Sequence, residues 1–195
     1  MRRVFLRRIM KVKEILIRAF GFLERSDIVS ALSAGEDLEG EIKEAAQTLL
    51  YCYNAVENEL ARFYFPLITK ETLRNMRGIY EFSDFSNVPL KIICVKSNGA
   101  EIAYTKTSSG IQAEATEITV EYRCLPNKKE FGDDCAFSKD TVTEKMLAAG
   151  AASEFCLING NVSGTEFFEN IYRREIDFVR RSVSAPSGFP PRRWI

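Results

Sequence analysis

Between Glu41 and Phe65 the chain places Ile42, Ala46, Leu49, Tyr53, Val56, Leu60 and Phe63 in alternating four- and three-residue steps. Residues three and four apart stack on one side of a helix, so this spacing predicts an amphipathic helix over 41–65. Glu44, Gln47, Asn54, Asn58 and Arg62 fall on the other side. Such a helix runs roughly 37 Å at 1.5 Å per residue, and Pro66 stops it. The same period in Val12, Ile15, Leu16, Ala19, Phe20 and Leu23 predicts an earlier helix from Lys11 to about Arg25. Ser26-Asp27 then reads as the cap of a short helix through Leu32. Gly35 and Gly40 flank the acidic loop Glu36-Asp37-Leu38-Glu39.

After Pro66 the helical period fades, and residues 67–77 read as a connector. From Gly78 the period becomes two. Ile79, Tyr80 and Phe82 start a strand, Ser83 to Asn87 turns, and Leu90 to Val95 is a second strand. Ser97-Asn98-Gly99 is a hairpin signal, because Asn-Gly accepts positive φ. Glu101 to Thr107 reads as the partner strand, Ser108-Ser109-Gly110 as a turn, and Thr116 to Arg123 as a strand with one wet face. Pro126 to Lys129 ends the sheet. The pattern predicts a four- or five-stranded antiparallel domain over residues 78–126, inserted between helices.

Helical spacing returns from Ser138 or Thr141 to about Leu157. The small run Ala148 to Ala152 lets another backbone come close, and packing against the 41–65 helix is the expectation. Gly160 supplies a stop, and Ser163-Gly164-Thr165-Glu166 fits a capping box. A last helix follows through about Val183 on Phe168, Tyr172, Ile176, Val179 and Val183, with Arg173, Arg174, Arg180 and Arg181 on its charged face. The segment 184–195 holds three prolines and a glycine and reads as an extended tail. It carries Phe189, Arg192, Arg193 and Trp194, the only tryptophan. Trp and Arg are favoured anchors in partner pockets, so these four residues and the four helix arginines form the candidate docking set. The fold class is α+β. A helical bundle on a long central helix (1–66 and 138–183) carries a small inserted antiparallel β domain and an extended C-terminal tail.

Composition narrows the function. The 195 residues contain 27 basic and 27 acidic side chains and no histidine. Missing histidine removes the usual general base near neutral pH and the commonest metal ligand. There is neither a GxxxxGK[ST] nor a GxGxxG phosphate loop, and no nucleophile sits beside a base at a readable spacing. Asp133-Asp134 beside Cys135 lacks a further ligand and reads as a solvated turn. Catalytic, cofactor-binding and metal residues are therefore all expected to be none. The five scattered cysteines without a CxxC suggest buried thiols in a reducing compartment. The sequence holds no apolar stretch of membrane-spanning length.

Zero net charge conceals an uneven layout. Residues 1–25 carry +6, residues 170–195 carry +4, and residues 26–169 carry −10. Basic ends and an acidic body can pair within a molecule, between copies or with an external polyanion. Residues 1–10 open like a twin-arginine export signal, but Arg7, Arg8, Lys11, Lys13 and Glu14 interrupt the apolar core it needs. Two readings of this stretch stay open, one as a basic amphipathic helix on a membrane surface and a plainer one with Met10 as the biological start and residues 1–9 an extension.

Several stretches in order resemble a group of small head–tail connector (adaptor) proteins of tailed bacteriophages and prophages of low-GC Gram-positive bacteria. They are Met10–Leu16 (MKVKEIL), Leu50–Ala61 (LYCYNAVENELA), Tyr80–Phe85 (YEFSDF), Pro89–Ile92 (PLKI), Gly150–Gly160 (GAASEFCLING) and Arg192–Ile195 (RRWI). Residues 1–9 and the stretch after Gly160 depart from the pattern. The resemblance implies a structural virion protein at the head–tail interface, assembled in the bacterial cytoplasm. It implies a homo-oligomeric ring, commonly of twelve copies, beneath the portal protein and above a downstream neck or tail protein. DNA passes through such a ring without being specifically bound, and neither an enzyme, a cofactor nor a membrane is implied. Other neck proteins (stopper or tail-completion) are the nearest alternative. A nucleic-acid-binding accessory protein using the arginine-rich terminal helices is the other.

Overall fold

The computed structural model describes residues 9–184. In chain order the elements are β1 (Ile9–Lys11), α1 (Val12–Phe22), α2 (Ser26–Ala34), α3 (Gly40–Glu59), β2 (Leu67–Arg74), β3 (Ile79–Glu81), β4 (Pro89–Ser97), β5 (Ala100–Glu101), β6 (Tyr104–Lys106), β7 (Gly110–Ala113), β8 (Glu117–Cys124), β9 (Asp134–Ser138), α4 (Glu144–Ile158) and α5 (Val162–Ser184). The fold is mixed α+β, with small antiparallel sheets. Two compact units divide the chain. Residues 54–130 make one, and the flanking segments make the other.

In the flanking unit, α1 buries Val12, Ile15, Leu16, Ala19 and Phe20, as their spacing predicts. Helix α2 begins at Ser26, but no side chain caps it. Asp27 instead accepts from the Arg25 guanidinium at 2.8 Å, which holds its carboxyl below the usual range. Strand β1 pairs with β9, joining Ile9 to Ser138 and Lys11 to Asp134. Asp134 is thus a strand residue, not a solvated turn, and Lys11 Nζ lies 2.5 Å from its carboxylate. Met10, between those pairs, is wholly buried.

Helix α4 starts later than either predicted residue, because Ser138 ends β9 and Thr143 caps the helix by accepting from Met146 N–H at 3.0 Å. Its buried run Ala148 to Ala152 brings α5 and α1 close, and the Glu154 carboxylate of α4 acts on the Cys52 thiol of α3. Small side chains permit such approach but do not choose the partner. The choice falls to helices joined by the short turn at Gly160 (φ 70°) and by the Phe20–Phe155 ring contact. Asn161, not Ser163, caps α5. Its Oδ1 accepts from Gly164 N–H at 3.0 Å, and its carbonyl accepts from the Thr165 hydroxyl. Phe168, Tyr172, Ile176 and Val179 are buried as predicted. The side chain of Val183 and all of 185–195 lie outside the described residues, with Phe189, Arg192, Arg193 and Trp194 among them.

Helix α3 ends in a wider turn over Leu60–Tyr64, where Phe65 N–H donates five residues back to Leu60 O at 2.7 Å. The extra residue turns the following chain by about a quarter of a revolution. Phe65 therefore points inward, and Phe63, assigned by spacing to the apolar face, is exposed. Asn54 was assigned to the polar face, yet it is buried. Its Nδ2 donates to Lys129 O at 3.1 Å and its Oδ1 accepts from Lys129 N–H at 2.7 Å.

The 54–130 unit holds seven strands in two sheets, β2-β8-β4-β5 and β3-β7-β6. Both line one core that includes Tyr80, Ile111, Ile118, Val120 and Tyr122. The supposed connector is β2, which pairs with β8 along its whole length from Leu67↔Cys124 to Arg74↔Glu117. Its inner face carries Thr69 and Glu71, so no apolar alternation marks it. Thr69 meets the Cys124 thiol at 3.3 Å, and Glu71 accepts from the Tyr122 and Ser86 hydroxyls at 2.6 Å each. Asn98 and Gly99 turn the β4–β5 hairpin at positive φ, as predicted. The strand predicted over 101–107 is split. Its first residues stay with β4, and Tyr104–Lys106 crosses to the second sheet as β6, pairing with the unforeseen β7.

Candidate docking surface

Helix α5 is amphipathic in two ways. One seam, Phe168, Tyr172, Ile176 and Val179, is buried in its own unit. A second runs along the solvent side through Phe167, Ile171, Arg174, Phe178 and Arg181, in steps of four, three, four and three, with Ile171 half-buried against the Ala152, Cys156 and Phe168 cluster. That rhythm keeps side chains on one line of a helix. Phe167 and Phe178 are 61% and 69% exposed, although nothing in a monomer rewards placing rings in water.

Beside this seam lies a groove of about 440 Å³ lined by Lys145, Ile171, Arg174, Asp177, Phe178 and Arg181. Glu175 anchors its base. It accepts from Lys145 Nζ at 2.8 Å and from the Thr143 hydroxyl at 3.2 Å, tying α5 to the first turn of α4. Because Thr143 also caps α4, one carboxylate and one cap fix the relative placement of both helices at this end.

The four arginines predicted as one charged face separate into pairs. Arg174 and Arg181 are seven residues apart, so they align and line the groove. Arg173 and Arg180 sit about 100° around the helix from them. Arg173 forms an i,i+4 pair with Glu169 at 2.6 Å, and Arg180 is exposed. The sequence reading stopped at one apolar seam per helix and missed Phe167, Ile171 and Phe178. Their four–three spacing was the available signal.

The groove offers two aligned guanidinium groups, a ring and an aliphatic wall. Its chemistry complements acidic groups opposite the arginines and an apolar group against Phe178. At the far end of α5, Leu157, Ile158 and Val162 extend the exposed apolar surface around the α4–α5 turn. Among the described residues no group of three or more metal-ligating side chains comes together, and no helix is long and apolar enough to cross a membrane. No disulfide links the five cysteines. Burial pushes the Cys52 thiol up to about 12, with the Glu154 carboxylate adding to the shift. No protein-family model matches the chain, and a search of curated proteins finds no match.

Proposed function

We propose that this chain is a structural subunit, a head–tail connector of a tailed phage or prophage, which assembles into a ring beneath the portal and receives a neck or tail protein. The observation that carries this reading is the pair of exposed rings on the solvent side of α5, Phe167 and Phe178, beside the aligned Arg174 and Arg181. Head-to-tail copies in a closed ring bring two different surfaces together. The seam supplies one surface, and the uneven charge layout supplies the sign preference for the other. In this reading the helices form a bundle on the long 41–65 segment, and the β unit is an inserted platform. The protein has no catalytic role.

The test is mass measurement on the purified chain alone and with portal protein. Ring formation gives multiples of the 22.2 kDa subunit, and Phe178→Asp with Arg174→Glu abolishes it. A chain that stays monomeric and ignores portal defeats the proposal. The exposed Arg173, Arg174, Arg180 and Arg181 favour a second reading, direct nucleic-acid binding. A gel shift over a salt series separates the two, since phosphate contacts weaken steeply with salt.

A further inference from the structure

We infer that a pocket between α2, the loop that follows it and α3 receives the C-terminal segment Arg192–Ile195 of a second copy, with Trp194 inserted. The inference rests on the ring reading above and specifies how neighbouring copies grip one another.

The pocket measures about 540 Å³. Leu32, Leu38 and Phe131 supply apolar walls, and Glu36, Asp37 and Glu39 stand at its rim. Gln47, Lys13 and Lys43 complete it. All belong to the unit made by the flanking segments. The loop wall is strongly acidic, with five carboxylates between residues 36 and 44 against Lys43 alone. Among the described residues, Glu36, Asp37 and Glu39 enter no ion pair. The pocket thus has an apolar interior and a rim whose carboxylates outnumber Lys13 and Lys43 and are in no ion pair among the described residues.

The tail has the opposite chemistry. Residues 184–195 hold Arg192 and Arg193, no acidic side chain, and the chain's sole tryptophan. An indole needs apolar walls for its rings and an acceptor for its N–H. Leu32, Leu38 and Phe131 provide the walls, and the rim carboxylates or the Gln47 amide provide the acceptor. Pro190 and Pro191 fix φ just before the two arginines, which lowers the ordering cost of an extended segment.

Charge chooses between this pocket and the α5 groove. The α5 groove carries Lys145, Arg174 and Arg181 against Glu175 and Asp177, a net +1 that disfavours an Arg-Arg segment. The α2–α3 pocket carries three carboxylates against Lys13 and Lys43, a net −1 toward a +2 tail. A heterologous ring contact then places each tail on a surface of the next subunit that differs from its own exit point.

The sole tryptophan makes the test direct. Emission of the full-length chain is followed against protein concentration, with mass measured on the same samples. The expected result is a shift to shorter wavelength that rises in step with assembly. The triple variant Glu36→Lys, Asp37→Lys, Glu39→Lys alters only exposed loop positions, so its fold serves as an internal control by circular dichroism. It should move the midpoint to at least roughly tenfold higher concentration. Arg192→Glu with Arg193→Glu should do the same, and mixing the two variants should recover the shift through the one compatible pairing. A ring whose Trp194 stays in water overturns the inference while leaving the connector reading intact. So does a short-wavelength emission already present in the monomer, which would mean the tail folds on its own chain. An unmoved midpoint in either variant also overturns it. Absence of any assembly, with portal present, defeats both.

Discussion

The two units solve the same burial problem with different chemistry. The helical unit hides aliphatic and small side chains, Val12, Leu16 and Ala148 to Ala152 among them, with few polar groups inside. The β unit turns polar groups inward and satisfies them. Glu71 takes two hydroxyls, Asn54 copies a backbone pair for Lys129, and Tyr80 Oη donates to Ala115 O at 2.7 Å. The β unit is therefore specified by geometry that tolerates little change. The helical unit is specified by pattern and keeps spare apolar side chains for its surface.

This contrast can be attacked first in the β unit. Gly110 lies where β7 crosses β3, and a Cβ there would collide with the Tyr80 carbonyl oxygen and press on Glu81 Cα. Both obstacles are backbone, so neither can swing aside. Gly110→Ala is expected to cost about 3 kcal/mol or more, read as a lower denaturant midpoint. A cost below about 0.5 kcal/mol would show that the unit yields more easily than argued. Asn54→Ala strands both the N–H and C=O of Lys129 and is expected to cost about 2–3 kcal/mol in the same assay. Asn54→Asp keeps the acceptor for Lys129 N–H but loses the donor, so it should fall between.

The same difference explains what the sequence disclosed. Helices α1, α3, α4 and α5 were legible because their inner faces are apolar at helical spacing. Strand β2 was not, because Thr69 and Glu71 occupy inward positions that only their partners Cys124, Tyr122 and Ser86 justify. No local pattern announces a partner fifty residues away. The cap falls on Asn161 and not on Ser163 because both residue types cap and they stand only two residues apart after the stop at Gly160. Of the candidate docking set, the arginines of α5 were placed on the surface correctly as a helix face, but their partition between groove and flank depends on rings that the reading overlooked. Phe189, Arg192, Arg193 and Trp194 lie outside the described residues.

Alkaline titration sharpens the comparison further. Burial raises the thiols of Cys52 and Cys156 in the helical unit and the phenols of Tyr80 and Tyr122 in the β unit, where the Glu71 carboxylate adds to the rise at Tyr122. Each folded value lies above the unfolded one. The stability these groups contribute is whole below the unfolded pKa and is lost as pH rises toward the folded value. For Cys52 that window runs from 9.0 to about 12. Cys52→Ala should start with a slightly lower melting temperature at neutral pH and then lose less than the parent chain on going alkaline. Parallel losses in both proteins would show that the Cys52 thiol is not held neutral by its surroundings.

The smallest effect on folding belongs to the outer seam of α5, and its smallness is what matters. Phe178 is 69% exposed and its neighbours Arg174 and Arg181 face solvent, so Phe178→Ser removes little that the monomer buries. Its unfolding free energy should stay within about 0.5 kcal/mol of the parent, and Phe167→Ser should cost somewhat more, because Phe167 touches the buried Phe168 edge to face at 5.2 Å. The buried seam provides the control. Phe168→Ala should cost about 3 kcal/mol or more, since its ring stacks on Phe22 and packs against Ala152 and Cys156. Phe167 and Phe168 are adjacent in sequence, yet one faces solvent and the other is buried. If Phe178→Ser destabilised the monomer as much as Phe168→Ala does, the outer seam would be part of the subunit's own core and would no longer argue for a partner.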